Sequence, residues 1–300
     1  MPQPILDARP TLGTFMRRSL LLLASCLFGA AACAPDSTPV RSIAPGEPSL
    51  IVNGAFDLTN TYANVGALIV KRKRDGQLFP ECSGTLIAPT VFLTAGHCTS
   101  YVQSLPGADF AIGVSFANPI PWGDLTNGQS GFVLATSIAT HPDYNQRQSD
   151  GADLGVVILP TQAGIPVAHL PTLNLLDELQ AAHKIQSMPF TAVGYGIFAR
   201  VVGGGTPFFL DYNPEPRQYA ISSFNSLGPG YIRLSQNPAK GDGGTCYGDS
   251  GGPNFISVNG TLVIAATTVT GDANCRATNV DYRLDTPTAR SFLGHYVSLP

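Results

Sequence analysis

Charge is scarce in this chain, and its N-terminal hydrophobic run is short. Only 12% of the 300 residues are charged and the formal net charge is −3, which gives no indication of nucleic-acid binding. The apolar run covers residues 19–32, too few for an ordinary membrane span. Glycine (32) and proline (25) are plentiful, in a chain that is 44% hydrophobic. This composition provides for a large core and predicts an all-β protein with many turns.

The N-terminus has the order of an export signal. Met16-Arg17-Arg18 precedes the apolar run, and Ala30-Ala31-Ala32 leads up to Cys33. A basic start, a short apolar core and a small-residue cleavage site predict a signal peptide over residues 1–33 and a secreted, extracellular or periplasmic protein. The same residues resemble a bacterial lipobox, in which Cys33 would be acylated. Simple secretion and lipid anchoring at Cys33 are therefore both open.

The composition changes after Cys33. Residues 34–50 are rich in proline and serine. Segments of this kind are typical of flexible linkers and do not form a core of their own. We predict a pro-segment or linker over residues 34–50, ahead of the folded part of the chain.

The cysteines predict an oxidising compartment. Two of the six lie at the N-terminal apolar run, and four remain for the body of the chain: Cys82, Cys98, Cys246 and Cys275. An even set of cysteines in a chain with an export signal predicts two disulfides.

One glycine-rich stretch, residues 243–253, places a serine among small residues. Glycine tolerates backbone angles closed to other residues, so Ser250 can lie in a strained turn with its hydroxyl open to a substrate. The same turn can direct the N–H groups of Gly248 and Ser250 at one point, which would stabilise an oxyanion. A serine hydroxyl is a weak nucleophile alone, so this interpretation requires a histidine base and an orienting carboxylate.

Several motifs in order resemble the chymotrypsin/trypsin-like serine proteases, over residues 51–297. They are Ile51-Val52-Asn53-Gly54, Thr94-Ala95-Gly96-His97-Cys98, Asp153-Leu154-Gly155-Val156-Val157 and the stretch around Ser250. The resemblance implies a protease domain over residues 51–300, built as two six-stranded antiparallel β-barrels with the active site between them and a helix over 288–297. It implies no cofactor and no metal. Partners would be protein or peptide substrates and an activating protease, with no nucleic acid, and the protein would be a monomer.

The resemblance also assigns roles. His97 would be the general base, Asp153 would hold the imidazole, Ser250 would be the nucleophile, and the N–H groups of Gly248 and Ser250 would bind the oxyanion. Asp150 competes with Asp153, but it lies in a Ser-Asp-Gly turn where aspartate commonly caps its own backbone. The implied disulfides are Cys82–Cys98 and Cys246–Cys275.

In this family a cut frees an N-terminal isoleucine, whose ammonium pairs with the aspartate before the nucleophile. Here the pair would be Ile51 and Asp249, and an uncut chain would leave Asp249 unpaired. The residue before the cut is Leu50, which argues against an activator that cleaves after basic residues. The alternative is an ordinary edge strand at Ile51 with no processing.

Specificity is expected to depend on a pocket with Gly244 at its floor and Thr245 and Gly271 at its sides, which favours an apolar substrate side chain over a basic one. The opposite wall is ambiguous. The wall position depends on how the residues after Cys275 are aligned with the family's pattern. Counting from Cys275 places Asp281 at the wall, aligning Tyr282 places Val280 there, and aligning Arg283-Leu284 places Asn279 there. An inward Asp281 would restore a basic preference.

Two rival functions are weighed. A non-catalytic, protease-like binding protein would typically have lost one of the three catalytic residues. The pattern Gly248-x-Ser250-x-Gly252 also suits the nucleophile elbow of an α/β-hydrolase esterase, with Asp272, Asp281 or Asp285 and His295 as partners. An elbow must lead into a helix, however, and Gly251-Gly252-Pro253 is a poor helix start. A secreted serine endopeptidase that works through an acyl-enzyme is therefore favoured.

Overall fold

The structure is a computed structural model of the chain. It describes the backbone and side chains of most of the chain after residue 52, and the backbone alone of two short segments: residues 53–120, 131–145, 151–162, 164–196 and 216–300 in full, and 199–200 and 208–209 as backbone. The predicted signal peptide (1–33), the predicted pro-segment (34–50), Ile51 and Asp150 lie outside the described residues. None of the helices in the described part is long and apolar enough to cross a membrane.

The described part of the chain contains sixteen strands and three α-helices. The strands are β1 (Ala55–Phe56), β2 (Val65–Arg72), β3 (Leu78–Ala88), β4 (Val91–Thr94), β5 (Phe110–Ser115), β6 (Val133–Leu134), β7 (Ser137–Thr140), β8 (Gly155–Ile158), β9 (Pro189–Gly194), β10 (Ala199–Arg200), β11 (Phe208–Phe209), β12 (Gln218–Leu227), β13 (Tyr231–Ser235), β14 (Pro253–Val258), β15 (Thr261–Gly271) and β16 (Thr278–Arg283). The helices are α1 (Gly96–Ser104), α2 (Leu175–Ala181) and α3 (Pro287–Leu293), with 3-10 turns at Ile185–Ser187 and Pro238–Lys240.

The N-terminal sheet is antiparallel, with the strand order β6-β5-β2-β3-β4-β8-β7. Its two edge strands, β6 and β7, are separated in sequence only by Ala135 and Thr136. The N–H of Ala135 donates to Ile112 and that of Thr136 donates to Ile158, on the two strands flanking the gap. Because two residues bridge the two edges, the sheet curls into a barrel in which β6 and β7 act as one broken strand.

The residues of β2 show why this sheet is covered on both faces. Val65 to Val70 are all buried. Leu68 and Val70 pack into one apolar cluster, and Ala67 and Ile69 pack into another on the opposite face. A strand that is buried on both faces reads as a continuous apolar run, as this one does.

The C-terminal sheet is closed. Its order is β12-β13-β16-β15-β14-β9, and β12 pairs again with β9, which completes six strands; β1 is added to β12 as a short seventh. The predicted double-barrel fold is thus confirmed. It differs from the expectation in the break between β6 and β7 and in the added β1.

The largest apolar cluster joins the two barrels. It contains Leu93 and Leu154 from the first barrel, Val193 and Phe255 from the second, and Phe292 of α3. Helix α3 begins where Thr286 Oγ1 accepts a hydrogen bond from the N–H of Ala289 (3.2 Å), with a proline in its first turn. The predicted C-terminal helix is therefore present, though it ends at Leu293.

Candidate active site

His97 and Asp153 are brought together by the pairing of β4 with β8. Thr94 at the end of β4 lies opposite Gly155 at the start of β8, so the residues just beyond each strand meet. Asp153 Oδ2 lies 3.0 Å from His97 Nδ1, and Oδ1 accepts the backbone N–H of His97 at 2.8 Å. The Asp153 side chain is 6% exposed and that of His97 is 32% exposed. A carboxylate at Nδ1 favours the tautomer that leaves Nε2 free to accept a proton.

Ser250 lies in a tight turn between the 3-10 turn at Pro238–Lys240 and β14. Gly248 and Gly251 have φ angles of 91° and 78°, in the left-handed region that favours glycine. The N–H groups of Asp249, Gly251 and Gly252 donate to backbone carbonyls. Those of Gly248 and Ser250 donate to no group among the described residues. The turn therefore leaves unsatisfied the two donors that were expected to bind an oxyanion.

The turn is held against the first barrel beside His97. The N–H of Ser83 in β3 donates to the carbonyl of Ser250 at 2.9 Å, and Cys98 Sγ lies 3.8 Å from the same oxygen. A Cβ at Gly251 would overlap Thr94 Oγ1, so the turn and the end of β4 are in close contact. No hydrogen bond joins the Ser250 hydroxyl to His97 within the described residues. Of the contacts expected between the three residues, the one between Asp153 and His97 is present, and the backbone of Ser250 lies beside Cys98, the residue after His97.

Both predicted disulfides are present. Cys82–Cys98 joins β3 to α1 at the residue after His97, and Cys246–Cys275 joins the Ser250 turn to the segment after β15. By the chain-entropy model, closing loops of 16 and 29 residues contributes roughly 3–4 kcal/mol each. The two bridges brace the histidine and the serine turn separately.

Asp249 is fully buried behind the turn. Its Oδ1 accepts the N–H of Gly196 (2.8 Å) and its Oδ2 accepts the N–H of Cys246 (2.9 Å). Burial raises the pKa of Asp249 to about 7, although the two backbone hydrogen bonds act in the opposite direction. Within the part of the chain that the structure describes, no cationic group pairs with this carboxylate.

A cavity of about 180 Å³ opens beside Ser250. Its walls are the Ser250 turn and the end of β15 with the loop that follows: Thr245, Cys246, Tyr247, Ser250, Thr268, Val269, Thr270, Gly271, Asp272 and Cys275. Thr245 and Gly271 therefore lie where they were expected. Gly244 does not line the cavity, because its Cα faces Gln236, whose side chain a Cβ at Gly244 would overlap.

The expected wall residues Val280 and Asp281 do not line the cavity either. Thr245 Oγ1 donates to Asn279 Oδ1 at 2.7 Å, and Asn279 Nδ2 donates to Asp281 Oδ1 at 2.7 Å. Asp281 is fully buried one layer below, and burial raises its pKa well above the usual range. Val280 packs toward the central apolar cluster. Of the three registers, the structure thus has the one that places Asn279 behind the cavity.

The register follows from how β15 pairs with β16. Gly271 lies opposite Asn279 and Thr270 opposite Val280, but a bulge between Thr268 and Thr270 shifts the pairing before Asp281. A bulge inserts an unpaired residue and turns the strand locally. The sequence alignments that start from Cys275 or from Tyr282 do not take into account which residue of β16 lies opposite Gly271.

The described residues do not form the arrangement that an esterase requires. Gly251-Gly252-Pro253 leads into strand β14 and not into a helix. Asp272 accepts the backbone N–H groups of Ala277 (2.7 Å) and Thr278 (2.9 Å), and Asp285 forms an ion pair with Arg283 at 2.9 Å. His295 follows α3, where its Nδ1 lies 3.3 Å from the carbonyl of Phe292. These candidate partners have structural contacts of their own, and the esterase interpretation is wrong.

One group of side chains has the composition of a metal site. His97 and the sulfurs of Cys82 and Cys98 lie within 4.8 Å of one another. The two sulfurs are bonded to each other, so neither is a thiolate that could bind a cation. This group gives no support for a metal.

Two residues near the turn were missed by sequence reasoning. Ser83 and Gln236 are buried polar residues, 0% and 1% exposed, and each contacts the segment that holds Ser250. Their only sequence signal is a polar side chain close to a predicted strand. That signal does not distinguish them from surface residues.

Comparison with known proteins gives one consistent result. A family model described as Trypsin matches residues 57–292. Brachyurin of Leptuca pugilator is 29% identical over 252 residues, covering 78% of this chain and 96% of that protein. Chymotrypsin-like elastase family member 1 of Homo sapiens is 25% identical over 256 residues (85% and 92%), and a Trypsin of Saccharopolyspora erythraea is 31% identical over 193 residues (61% and 73%).

Proposed function

Because the chain belongs to the trypsin family of serine proteases and is a serine endopeptidase, we propose that Ser250, His97 and Asp153 are its catalytic triad. The observation that carries this proposal is the contact of 3.0 Å between the buried Asp153 carboxylate and His97 Nδ1. The position of the Ser250 carbonyl beside Cys98, the residue after His97, supports it.

The proposed reaction has two halves. Ser250 Oγ attacks the peptide carbonyl carbon while His97 Nε2 takes its proton, and Asp153 stabilises the imidazolium that forms. His97 then gives the proton to the leaving amine as the C–N bond breaks, which leaves an acyl-enzyme. A water molecule then attacks the acyl carbonyl carbon while His97 takes its proton. The bond from that carbon to Ser250 Oγ breaks, His97 returns the proton to Oγ, and the acid product leaves.

The oxyanion of each tetrahedral intermediate would be bound by Gly248 and Ser250. Their N–H groups have no partner among the described residues, whereas the neighbouring N–H groups are bonded. Donors that are fixed before the reaction stabilise developing charge without reorganisation.

We propose an uncharged, mainly apolar preference for the side chain before the scissile bond. The carboxylate in the cavity wall, Asp272, already accepts backbone hydrogen bonds from the loop at 276–278. Asp281 lies below Asn279 and is not part of the lining. A basic side chain would thus find in the described lining only a carboxylate that already accepts several backbone hydrogen bonds, which favours an uncharged side chain.

We further propose that the chain is secreted, that a cut before Ile51 activates it, and that the active protein is a monomer acting on proteins or peptides. The unpaired, buried Asp249 supports the activation step, because an ammonium would supply the missing partner. Acylation of Cys33 is the alternative to simple secretion. If Cys33 were acylated, the cut would release the protease, since the described disulfides lie within residues 82–275.

Labelling with a peptidyl phosphonate tests the proposal. The wild-type protein should react once per chain, and Ser250→Ala and His97→Gln should not. A folded wild-type protein that hydrolyses no peptide and takes up no label would favour the binding-protein alternative. N-terminal sequencing of the reactive form would show whether it starts at Ile51 and would identify its compartment of origin.

A further inference from the structure

Ser83 contacts the Ser250 turn through two separate groups. It lies in β3 of the first barrel and is fully buried. Its hydroxyl donates to the carbonyl of Gly248 at 3.0 Å, and its backbone N–H donates to the carbonyl of Ser250 at 2.9 Å. One residue of the first barrel therefore holds two carbonyls of a turn that belongs to the second.

The two carbonyls lie on either side of an expected oxyanion donor. The N–H of Ser250 belongs to the peptide between Asp249 and Ser250, which comes after the Gly248 carbonyl and before that of Ser250. Gly248 itself has no Cβ and adopts a φ of 91°, so no side chain restrains the backbone at this residue. Fixing the flanking carbonyls limits rotation of the peptide between them.

The same hydroxyl has a second partner. Ser83 Oγ accepts the N–H of Tyr195 at 3.0 Å, and the next N–H, that of Gly196, donates to Asp249 at 2.8 Å. Two consecutive N–H groups after β9 thus bind the turn, one through Ser83 and one through Asp249. The Ser83 hydroxyl thus donates to one buried group, the Gly248 carbonyl, and accepts from another, the Tyr195 N–H.

We propose that Ser83 is a positioning residue: its hydroxyl holds the Gly248 carbonyl and thereby orients the N–H of Ser250 toward the oxyanion. This inference rests on the proposed function of Ser250 as the nucleophile. Ser83 does not touch the substrate. Its loss should weaken binding of the tetrahedral state and leave substrate binding almost unchanged.

Ser83→Ala removes the hydroxyl, so the Gly248 carbonyl and the Tyr195 N–H each lose a hydrogen bond. Loss of a direct oxyanion donor costs about 10²–10³-fold in kcat. Because Ser83 acts through the turn, we expect a smaller loss of about tenfold in kcat, with KM within about twofold of wild type. A peptide boronate, which forms a tetrahedral adduct with the serine, should lose affinity about tenfold as well. A product peptide should not.

Thr85→Val is the matched control. Thr85 is two residues along the same strand and equally buried, and its hydroxyl has no hydrogen-bond partner in the described part of the chain. The control should keep the kcat and the boronate affinity of the wild type. Should Ser83→Ala fail to fold, Ser83→Gly removes the same hydroxyl without adding bulk, and the same split between kcat and KM is expected.

The full chain is used, matured in the same way for every variant. Unchanged boronate affinity in the Ser83 variants, or an equal loss in Thr85→Val, would overturn the inference. So would a fall in kcat that is matched by an equal loss of product-peptide binding. Hydrolysis that persists in Ser250→Ala would instead overturn the proposed function, so the two failures are distinguishable.

Discussion

Asp249 and Gly196 are in direct contact: the N–H of Gly196 donates to Asp249 Oδ1 at 2.8 Å, and a Cβ at Gly196 would overlap the carboxylate. The carboxylate is thus held by backbone donors in a space that admits no larger residue. Backbone dipoles alone do not offset its loss of water, and its pKa rises to about 7. The charge state of this one group should therefore affect both stability and activation.

The stability of the uncut chain should fall as the pH rises from about 4 to about 7. Below pH 4 Asp249 is protonated in both the folded and the unfolded chain, so it adds no penalty. Above the usual pKa of 3.8 the unfolded chain releases the proton while the folded chain retains it to about 7. The penalty reaches on the order of 4 kcal/mol and is then constant. Urea unfolding at several pH values checks this, and Asp249→Asn should reduce the slope in that window.

Asp249→Asn should also prevent activation. An amide cannot form an ion pair with the ammonium of Ile51, so the cut form should lose at least about tenfold in kcat/KM if that pair is worth more than about 1.4 kcal/mol. Kinetics on samples cut before Ile51, with the cut verified by N-terminal sequencing, measure the effect. Full activity in the cut Asp249→Asn protein would argue against the pairing.

Asp153→Asn should lower kcat by about 10⁴-fold without unfolding the protein, the size of loss seen when a triad carboxylate is replaced in this way. The amide presents a donor to His97 Nδ1 and favours the wrong tautomer. Asp143→Asn serves as the control, because Asp143 is exposed and lies in a turn. Burst kinetics with an activated ester would show whether acylation is the step that slows. Comparable losses in the two variants would contradict the proposed role of Asp153.

Asp281→Asn should leave the substrate preference unchanged. The structure places Asp281 beneath Asn279, so its carboxylate does not contact a side chain bound in the cavity. A peptide library that varies the residue before the scissile bond should show a preference for apolar over basic side chains in both proteins, with kcat/KM ratios equal within about threefold. A basic preference in the wild type that disappears in Asp281→Asn would support the register that places Asp281 in the cavity wall.

Much of the site could be predicted from short motifs. The segments around His97, Asp153 and Ser250 each combine a catalytic residue type with a local structure that requires it, such as the turn at Gly248 and Gly251. The double barrel and the two disulfide pairings are implied by the resemblance of these segments, in this order, to the chymotrypsin/trypsin-like proteases. The local conformation of each segment depends mainly on nearby sequence.

Other features depend on pairing between distant strands and could not be predicted. The register of β16 is set by a bulge in β15, which no spacing of cysteines or tyrosines indicates. Ser83 acquires its contacts because β3 packs against a turn more than 160 residues later. From the sequence alone, a buried serine in a strand can equally be a small residue that only packs in the core. The fold is needed to show that Ser83 bonds to the turn.

The contact between Gly251 and Thr94 has a consequence for how inactivation should be interpreted. The proposed base, His97, lies in the first barrel and the proposed nucleophile, Ser250, lies in the second, and the two barrels meet at Gly251, where a larger residue would not fit. Separating them by even the width of a methyl group would move Ser250 away from His97 before either barrel lost a strand. Loss of turnover during heating should therefore precede the loss of β-sheet signal, and peptide hydrolysis would report the docking of the two halves.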